Sequence, residues 1–214
     1  MKKIALILAF GMMLAPCVKA QDCRLQNDEI TLSYGRVSIP GFAYTFASIF
    51  TTALTFGYLS PEEFHSTGAL TAGYWHHFSS RFSVGGNLVY ENFRMNFNQY
   101  AGKDENGQIL RKPSDWNNMS FTSLMPGVKF QWVNREHFGM FTKADAGGIW
   151  YHNQRIDIQA DESNRETHDA GNDFGFAFQL SLIGIEAGNG HWRGTTEIGW
   201  GMEGLVQAGV KYIF

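Results

Sequence analysis

Strict alternation of apolar and polar residues is the feature that most constrains this chain. In the segment GLVQAGVKYIF, residues 204–214, apolar positions alternate with positions that include Gln207 and Lys211. Because successive side chains on a β-strand point to opposite faces, such a segment has one apolar and one polar face. The same alternation recurs in RFSVGGNLVYEN, SFTSLMPGVKFQWV, FGFAFQLSL and HWRGTTEIGW. The chain is therefore predicted to consist of two-faced strands.

The spacing of these segments predicts how the strands are connected. Three short turns, SSR, NRE and NGH, alternate with longer connections, and only the last connection on the long side is short. Short turns at one end and long loops at the other are typical of outer-membrane barrels. We therefore predict an all-β fold, an eight-stranded antiparallel transmembrane β-barrel with both termini on the periplasmic side. Its strands are expected near residues 29–37, 68–78, 82–96, 119–133, 137–152, 174–188, 192–202 and 204–214.

The N-terminal segment has the features of a secretory signal. A basic start, MKK, precedes the apolar run IALILAFGMMLAP, which is too short to span a bilayer, and VKA ends in a small residue. We expect residues 1–20 to be a signal peptide that is cleaved after Ala20, which leaves 21–214 as one barrel domain. No later stretch of the sequence has the ~20 uninterrupted apolar residues of a membrane-spanning helix, whereas 24 glycines and 15% aromatic residues suit β-structure.

The charge of the remaining chain excludes one class of partner. Loss of Lys2, Lys3 and Lys19 leaves 14 basic and 20 acidic residues, a formal charge of −6. This balance does not suit a nucleic-acid-binding protein. Cys23 would be the one remaining cysteine, so no internal disulfide can stabilise the fold, and we expect its thiol to lie in a flexible end.

Aromatic residues lie at both ends of the predicted strands. Tyr90, Phe93 and Phe174 are near the loop ends. Two bands of aromatic residues are what two membrane–water interfaces select, and a soluble sandwich or soluble barrel gives little reason for them. The predicted interface aromatics are Phe78, Phe82, Trp132, Phe138, Trp192 and Phe214 at the turn end, and Trp150 and Trp200 at the loop end.

One uncharged segment, GFAYTFASIFTTALTFGYL, residues 41–59, departs from the strand pattern. At helical spacing Phe42, Phe46, Ile49 and Phe50 form an apolar stripe. A period of two also fits, but no turn residue divides the segment into a hairpin. We therefore expect an amphipathic helix at the membrane surface, in the first connection. The alternative is a hairpin, which would make ten strands.

Sorting the strand residues by face places seven charged side chains inside the barrel. An eight-stranded barrel is just wide enough for side chains to fill, and an unpaired buried ion costs several kcal/mol. We therefore predict a salt-bridged plug that closes the lumen, with a narrow polar conduit or gate as the alternative. Lys211 is expected to pair with one of the acids. The interior residues are Glu91, Lys129, Lys143, Asp145, Arg193, Glu197 and Lys211.

The pattern as a whole resembles a known group of proteins. The signal segment, the eight alternating strands, the aromatic bands and the final VKYIF resemble the small outer-membrane barrels of the OmpX and OmpA-transmembrane-domain kind. The stretches ITLSYG and TGALTAGYWHHFSSRFSVGGNLVYEN also resemble the outer-membrane barrels common in Bacteroidetes. The resemblance implies that the barrel-assembly machinery reads the C-terminal strand ending in Phe214. It brings no catalytic motif.

An enzymatic alternative depends on histidine and serine residues near the loop end. Some eight-stranded barrels resemble lipid-modifying hydrolases or acyltransferases, which use a His, a Ser and an acid at the outer face. The candidates here are His152, Ser163 or Ser120, and Glu162 or Asp157. No glycine-framed serine or fixed spacing connects them, so we expect no enzymatic activity.

Two further patterns are weak as metal sites. His76 and His77 are adjacent, so on a strand they point to opposite faces, and His77 is expected to face inward. The acidic segment 157–173 offers oxygen ligands but lacks the spacing of a calcium-binding loop. We expect this segment and NQYAGKDENGQILRKPSD to be solvated external loops.

Together these features predict a non-enzymatic outer-membrane protein of a diderm bacterium, with a structural, surface-binding or adhesive role through its external loops. The alternatives are a lipid A-modifying enzyme and a narrow channel. Expected partners are outer-membrane lipid, lipopolysaccharide and the barrel-assembly machinery. We expect a monomer with no nucleic-acid partner, no cofactor and no metal.

Overall fold

The computed structural model describes residues 28–56, 59–104, 108–158 and 166–214. The predicted signal peptide and Cys23 lie outside these residues, as do Glu162 and Ser163. Along the described chain the elements are β1 (Asp28–Arg36), α1 (Ile39–Leu54), β2 (Leu59–Ser66), β3 (Ala69–His77), β4 (Phe82–Lys103), β5 (Ile109–Asn134), β6 (Phe138–Ile158), β7 (Glu166–Asn189), β8 (Trp192–Gly201) and β9 (Val206–Ile213).

Eight of these strands close into a single antiparallel ring. Its order is β1, β3, β4, β5, β6, β7, β8 and β9, and β9 pairs back onto β1. The prediction of an all-β, eight-stranded antiparallel barrel is confirmed. The ten-stranded alternative, a hairpin at residues 41–59, is wrong, because Ile39–Leu54 is a helix. Among the described strands, only β2 lies outside the ring, where it pairs with β4. In the described part of the chain, no helix has the length and hydropathy needed to cross a membrane.

Four adjacent strands are much longer than the others. β4 to β7 have 21 to 26 residues each, whereas β1, β3, β8 and β9 have 8 to 10. The extra length lies at the end away from the short turns, so the sheet continues past the ring on one side. We call this extension the protruding sheet. It comprises residues 59–66, 92–103, 109–120, 152–158 and 166–174.

The protruding sheet corrects the prediction of two long loops. Residues 98–115 are mostly paired, up to Lys103 and Ile109, and the acidic segment is paired up to Ile158 and Glu166. Residues 159–165 between them lie outside the described chain. Apolar alternation gives no signal where both faces of a strand are polar, although the backbone still pairs.

α1 lies in the first connection, as predicted for a helix there. Ser38 caps it, because the Ser38 Oγ accepts a hydrogen bond from the Gly41 N–H over 3.1 Å. Pro40 is in the first turn, where its missing N–H leaves no helical hydrogen bond unmade. The helix ends at Thr55, whose N–H donates to the Thr51 carbonyl over 3.0 Å.

The short connection between β8 and β9 folds back against β1. The Leu205 N–H donates to the Arg36 carbonyl over 2.8 Å, and Gly204 has a φ of 103°, in the region that favours glycine. A Cβ atom on Gly35 would lie 1.7 Å from the Glu203 carbonyl oxygen. Glycine at position 35 therefore permits the close approach that brings Glu203 into the lumen.

Candidate functional site: a charged interior and an apolar outer wall

Two carboxylates and three cations form a charged layer inside the barrel, near the short turns. Glu29 accepts hydrogen bonds from Lys129 and, over 2.9 Å, from Lys211 Nζ. Glu186 accepts from the same Lys211 and, over 2.7 Å, from Arg193 Nη1. All five side chains are buried. We call this group the turn-end charge layer, and Lys211 is the residue that joins its two carboxylates.

Aromatic rings and His77 complete the turn-end charge layer. Lys129 Nζ lies 4.6 Å from the ring centroid of Trp75 and 5.1 Å from that of Phe141, so the ammonium group faces two aromatic rings. His77 Nε2 lies 3.1 Å from Glu29 Oε2, and His77 Nδ1 lies 2.7 Å from Ser83 Oγ. His77 therefore faces inward, and the adjacent His76 is partly exposed on the other side.

A second layer, nearer the loops, carries the opposite balance of charge. Lys143 Nζ lies 2.7 Å from Glu203, 2.9 Å from Glu197 and 3.9 Å from Asp145. Asn87 Nδ2 donates to Glu203 over 2.7 Å and to Asp145 over 3.2 Å. We call this group the loop-end charge layer. Its one cation faces three carboxylates, whereas cations are in excess in the turn-end charge layer, so the two layers attract each other.

Among the residues that the structure describes, a small cavity lies between these layers. A cavity of about 10 Å³ lies beside Lys143, Glu197 and Lys211, which is room for roughly one water molecule. Beyond the loop-end charge layer the interior becomes apolar, with Phe121 packed against it and Phe93 edge-on to Phe121 at 5.4 Å. The buried apolar residues are Ala69, Val89, Met125, Ile149, Ala177 and Met202.

Glu91 lies apart from both charge layers, at the start of α1. Its carboxylate accepts hydrogen bonds from Ser38 and, over 3.0 Å, from Ser66 Oγ. Ser38 is also the cap of α1, so Glu91 holds the helix to the rim of the barrel. A carboxylate at a helix N-terminus interacts favourably with the helix dipole. Lys211 is hydrogen-bonded to Glu29 and Glu186. These are not the acids expected from the sequence, which were Glu91, Asp145 and Glu197.

All seven charged residues that the sequence assigns to the interior are buried. They lie in the turn-end charge layer, in the loop-end charge layer and, for Glu91, at the start of α1. Glu29, Glu186 and Glu203 were missed. In β7 the pairing shifts between Ser181 and Ile183, so two consecutive residues face outward and the later positions change face. Alternation counted from the start of β7 therefore puts Glu186 on the wrong side. Glu203 was missed because a short turn is normally solvated.

The outer wall of the barrel is apolar, whereas the two layers inside it are charged. All eight predicted interface aromatics are exposed on it, from Phe138 at 38% to Phe78 at 66%. Aliphatic and further aromatic side chains fill the wall between the two ends, among them Leu88, Leu124, Phe176, Leu182 and Ile198. Phe93 corrects the sequence interpretation, because it is fully buried in the lumen on the same face of β4 as Glu91.

Comparisons with known proteins concern the fold. No protein-family model matches the sequence, and no curated protein sequence matches it. Among solved structures the chain is similar to Ail, the attachment invasion locus protein of Yersinia pestis, with 8% identity and a TM-score of 0.41 over 86% of this chain and 91% of that one. A structure of Ail with the heparin analogue sucrose octasulfate gives 9% identity, a TM-score of 0.40, and coverage of 86% and 94%.

The chain folds as a small eight-stranded antiparallel β-barrel. The resemblance predicted from the sequence is confirmed at this level by the closed ring of eight antiparallel strands, with the short turns at one end. The likeness to Ail says nothing of what this barrel binds.

Two of the enzymatic candidates are neighbours on the outer face of this barrel. Ser120 of β5 is paired with His152 of β6, and His152 is paired with Asn172 of β7. His152 Nδ1 lies 2.6 Å from Asn172 Oδ1. The side chains of Asp157, Glu162 and Ser163 are not among those described. Within the described residues, no group of three or more His, Cys, Asp or Glu side chains is arranged to hold a metal ion.

Proposed function

We propose that this chain is an outer-membrane β-barrel protein that fills its own lumen and presents the protruding sheet outside the cell. The observation that carries the proposal is the inverted distribution of side chains. Charged groups such as Glu29 and Lys211 are fully buried, whereas Phe174, Phe176 and Leu182 are exposed on the wall. Hydrocarbon around the barrel and polar groups inside it are the arrangement of transmembrane barrels.

The height of the apolar wall supports this assignment. Along β7 the exposed apolar side chains run from Phe174 to Ile185. Eleven steps of about 3.3 Å give ~36 Å along the strand. At a tilt of ~40° this corresponds to roughly 28 Å along the membrane normal, near the ~25 Å apolar band of outer-membrane barrels.

The protruding sheet supports a structural or binding role outside the membrane. Its last strand, β7, is paired with β6 from Glu166 onward, whereas β8 joins β7 only from Gln179. The Phe178 carbonyl accepts from Met202 N over 3.0 Å, so even-numbered residues before it direct their backbone groups away from β6. Among the described strands, none pairs with this side of residues 166–177, so they present an edge to which an extended strand of another protein can add.

Export and assembly complete the proposal. Residues 1–20 act as a signal that is cleaved after Ala20, and the periplasmic barrel-assembly machinery recognises β9 with Phe214. The protein then works as a monomer whose wall contacts outer-membrane lipid and lipopolysaccharide. Charge pairing and packing within the lumen need no second copy.

Orientation in the membrane provides the direct test. Lys103 is exposed at the tip of the protruding sheet and Ser79 is exposed in a short turn. In a Cys17→Ser, Cys23→Ser background, a membrane-impermeant maleimide is expected to label Lys103→Cys on intact cells. Ser79→Cys should react only after the outer membrane is permeabilised. Labelling of both on intact cells, or recovery of the protein without detergent, would contradict the proposal.

A second candidate function is hydrolysis of a lipid ester, and one observation favours it. Ser120, His152 and Asn172 form a row across three strands, two positions beyond the paired aromatic residues Trp150 and Phe174. Paired residues on neighbouring strands have Cβ atoms about 5 Å apart, so the Ser120 hydroxyl can reach the imidazole. An oriented histidine between a serine and an amide has the arrangement of a nucleophile, a base and an orienting group.

Lipid mass spectrometry distinguishes this candidate from the first. Cells that express the protein are compared with cells that express His152→Ala, Ser120→Ala or Gln154→Ala, the last an exposed neighbour on β6. Hydrolysis predicts deacylated lipid with the native protein and with Gln154→Ala, but not with the other two variants. Identical lipid profiles for all four would exclude this candidate and leave the surface-binding function unaffected.

A further inference from the structure

The exposed face of helix α1 is apolar, which is the reverse of a surface helix in water. From residue 39 to residue 56 the sequence contains no charged side chain. The large apolar residues are the exposed ones, with Phe46 at 62%, Ile49 at 63% and Leu54 at 65%, whereas Ser48 is buried at 7%. An ordinary surface helix buries its apolar stripe against the core and exposes its polar face.

Several hydroxyl groups of α1 donate hydrogen bonds to carbonyl groups of the helix itself. Thr45 Oγ1 donates to the Gly41 carbonyl over 2.8 Å, and Thr52 Oγ1 donates to the Ser48 carbonyl over 3.0 Å. Thr55 Oγ1 makes the same bond to Thr51 over 2.8 Å. Such bonds to preceding carbonyls compete with solvation in water, but in hydrocarbon they remove the cost of an unpaired hydroxyl.

Both residues that flank α1 add to its apolar surface. Val37 has a φ of 60° and Phe56 has a φ of 50°, and both side chains are exposed, Phe56 almost completely. Positive φ is unusual for a β-branched or bulky residue and costs of order 1–3 kcal/mol. The backbone thus adopts costly conformations that turn two large apolar side chains outward at the two ends of the helix.

The apolar face of α1 is continuous with the outer wall of the barrel. The Phe42 ring packs edge-on against Trp200, with 6.2 Å between the ring centroids. Trp200 is one of the two loop-end interface aromatics and is exposed on β8. Phe46 and Phe50 extend the same surface along the helix, their rings stacked at 6.2 Å. The helix start is fixed to the barrel rim by the bond between Ser38 and Glu91.

We propose that α1 lies in the outer leaflet and that the lipid acyl chains there cover its exposed apolar face. The proposal rests on the proposed function, because it needs the barrel to be in a bilayer. It adds a second lipid-binding element to the wall, one that broadens the barrel on the side of β8 and holds the loop end at a fixed depth. The buried Ser48 then faces the protein, while Phe46 and Phe50 face lipid.

A fluorescent probe with an environment-sensitive emission tests this placement. Single cysteines at Phe46 or Phe50, in the Cys17→Ser, Cys23→Ser background, are labelled with NBD and refolded into phosphatidylcholine vesicles that carry doxyl groups near the headgroup. Leu182→Cys on the wall and Ala170→Cys on the protruding sheet are the controls, and heat-dependent gel mobility verifies folding of each variant.

We expect the doxyl lipid to quench the probes at Phe46 and Phe50 by at least half, and to leave the probe at Ala170 unaffected. Leu182 should be quenched when the doxyl group is placed deeper in the chain. Unquenched probes at Phe46 and Phe50 together with a quenched probe at Leu182 would overturn the helix placement alone. An unquenched probe at Leu182 would instead contradict the membrane-spanning barrel itself.

Discussion

Lys211 Nζ lies 2.9 Å from Glu29 Oε2 across the seam where the last strand meets the first. The same ammonium group contacts Glu186 of β7, so one cation connects the closing strand to two others. Replacing Lys211 with Met would leave two buried carboxylates with one cation fewer between them. Loss of one partner from a buried ion pair costs about 3–5 kcal/mol.

We therefore expect Lys211→Met to lower the free energy of unfolding by about that amount, measured by urea titration in lipid vesicles with tryptophan fluorescence. Lys103→Met is the matched control, because Lys103 is exposed at the tip of the protruding sheet, and its effect should stay within about 0.5 kcal/mol. Equal stabilities of Lys211→Met and the control would show that the turn-end charge layer does not hold the seam.

The loop-end charge layer predicts a stability defect that depends on pH. Lys143 is the one cation beside Asp145, Glu197 and Glu203. In Lys143→Met these carboxylates repel one another when ionised, and protonation at low pH removes the repulsion. The deficit in unfolding free energy relative to the native protein should therefore shrink from pH 8 to pH 4, measured by urea titration at each pH. A deficit that stays constant or grows toward pH 4 would contradict the assigned charges.

The approach of β1 to the β8–β9 turn predicts a steric effect at Gly35. A methyl group there would lie 1.7 Å from the Glu203 carbonyl oxygen, so Gly35→Ala must displace the turn or the strand. We expect a cost of at least about 2 kcal/mol, within the range for overpacking of a close contact, and a smaller fraction of heat-modifiable, folded protein on gels.

Gly171→Ala is the control for this substitution, since, apart from the chain neighbours of Gly171, no atom of the described residues lies within 4 Å of the added methyl group. Its folded fraction should match that of the native protein. If both alanine variants fold equally well, the turn does not lie against β1 as described.

The filled lumen predicts that the barrel does not conduct ions. The charged side chains of both layers contact one another across the lumen, and beyond them Val89, Met125 and Ile149 are packed together with Phe121, which contacts Phe93. Ions would have to cross this apolar layer. Planar-bilayer recordings of the purified protein should show no discrete conductance above the detergent control, and reproducible single-channel steps would restore the channel alternative.

The alternation of apolar and polar residues predicts the ring of eight strands, but it does not predict the protruding sheet. The ring-forming parts of β4 to β7 are predicted because their outward residues are apolar, as in the series Phe174, Phe176 and Phe178. Most of their protruding parts are not predicted, because consecutive polar residues such as Gln154 and Arg155 give no apolar–polar contrast that marks a strand.

Several interior residues on regular strands are predicted, whereas Glu186 and Glu203 are missed at irregular positions and Glu29 is missed at the start of the regular strand β1. Lys129, Lys143 and Lys211 follow the local alternation and lie inside. Glu186 follows a bulge that changes its face, and the fold of the β8–β9 turn directs Glu203 inward. A bulge depends on how two strands pair, which a single segment does not encode visibly. Partners such as Glu29 and Lys211 are 182 residues apart in the chain, and nothing local links them.

Measuring lipid contact along β7 most directly tests whether the apolar wall of the barrel faces a bilayer. Nitroxide spin labels are placed one at a time from position 176 to position 186 in the cysteine-free background, and accessibility to oxygen and to a water-soluble nickel complex is measured in bilayers. The account predicts oxygen maxima at Phe176, Phe178, Leu180, Leu182, Ile183 and Ile185, with the change of face at Leu182 and Ile183. Nickel-complex maxima at these positions would show that water, not lipid, surrounds the wall and would contradict the account.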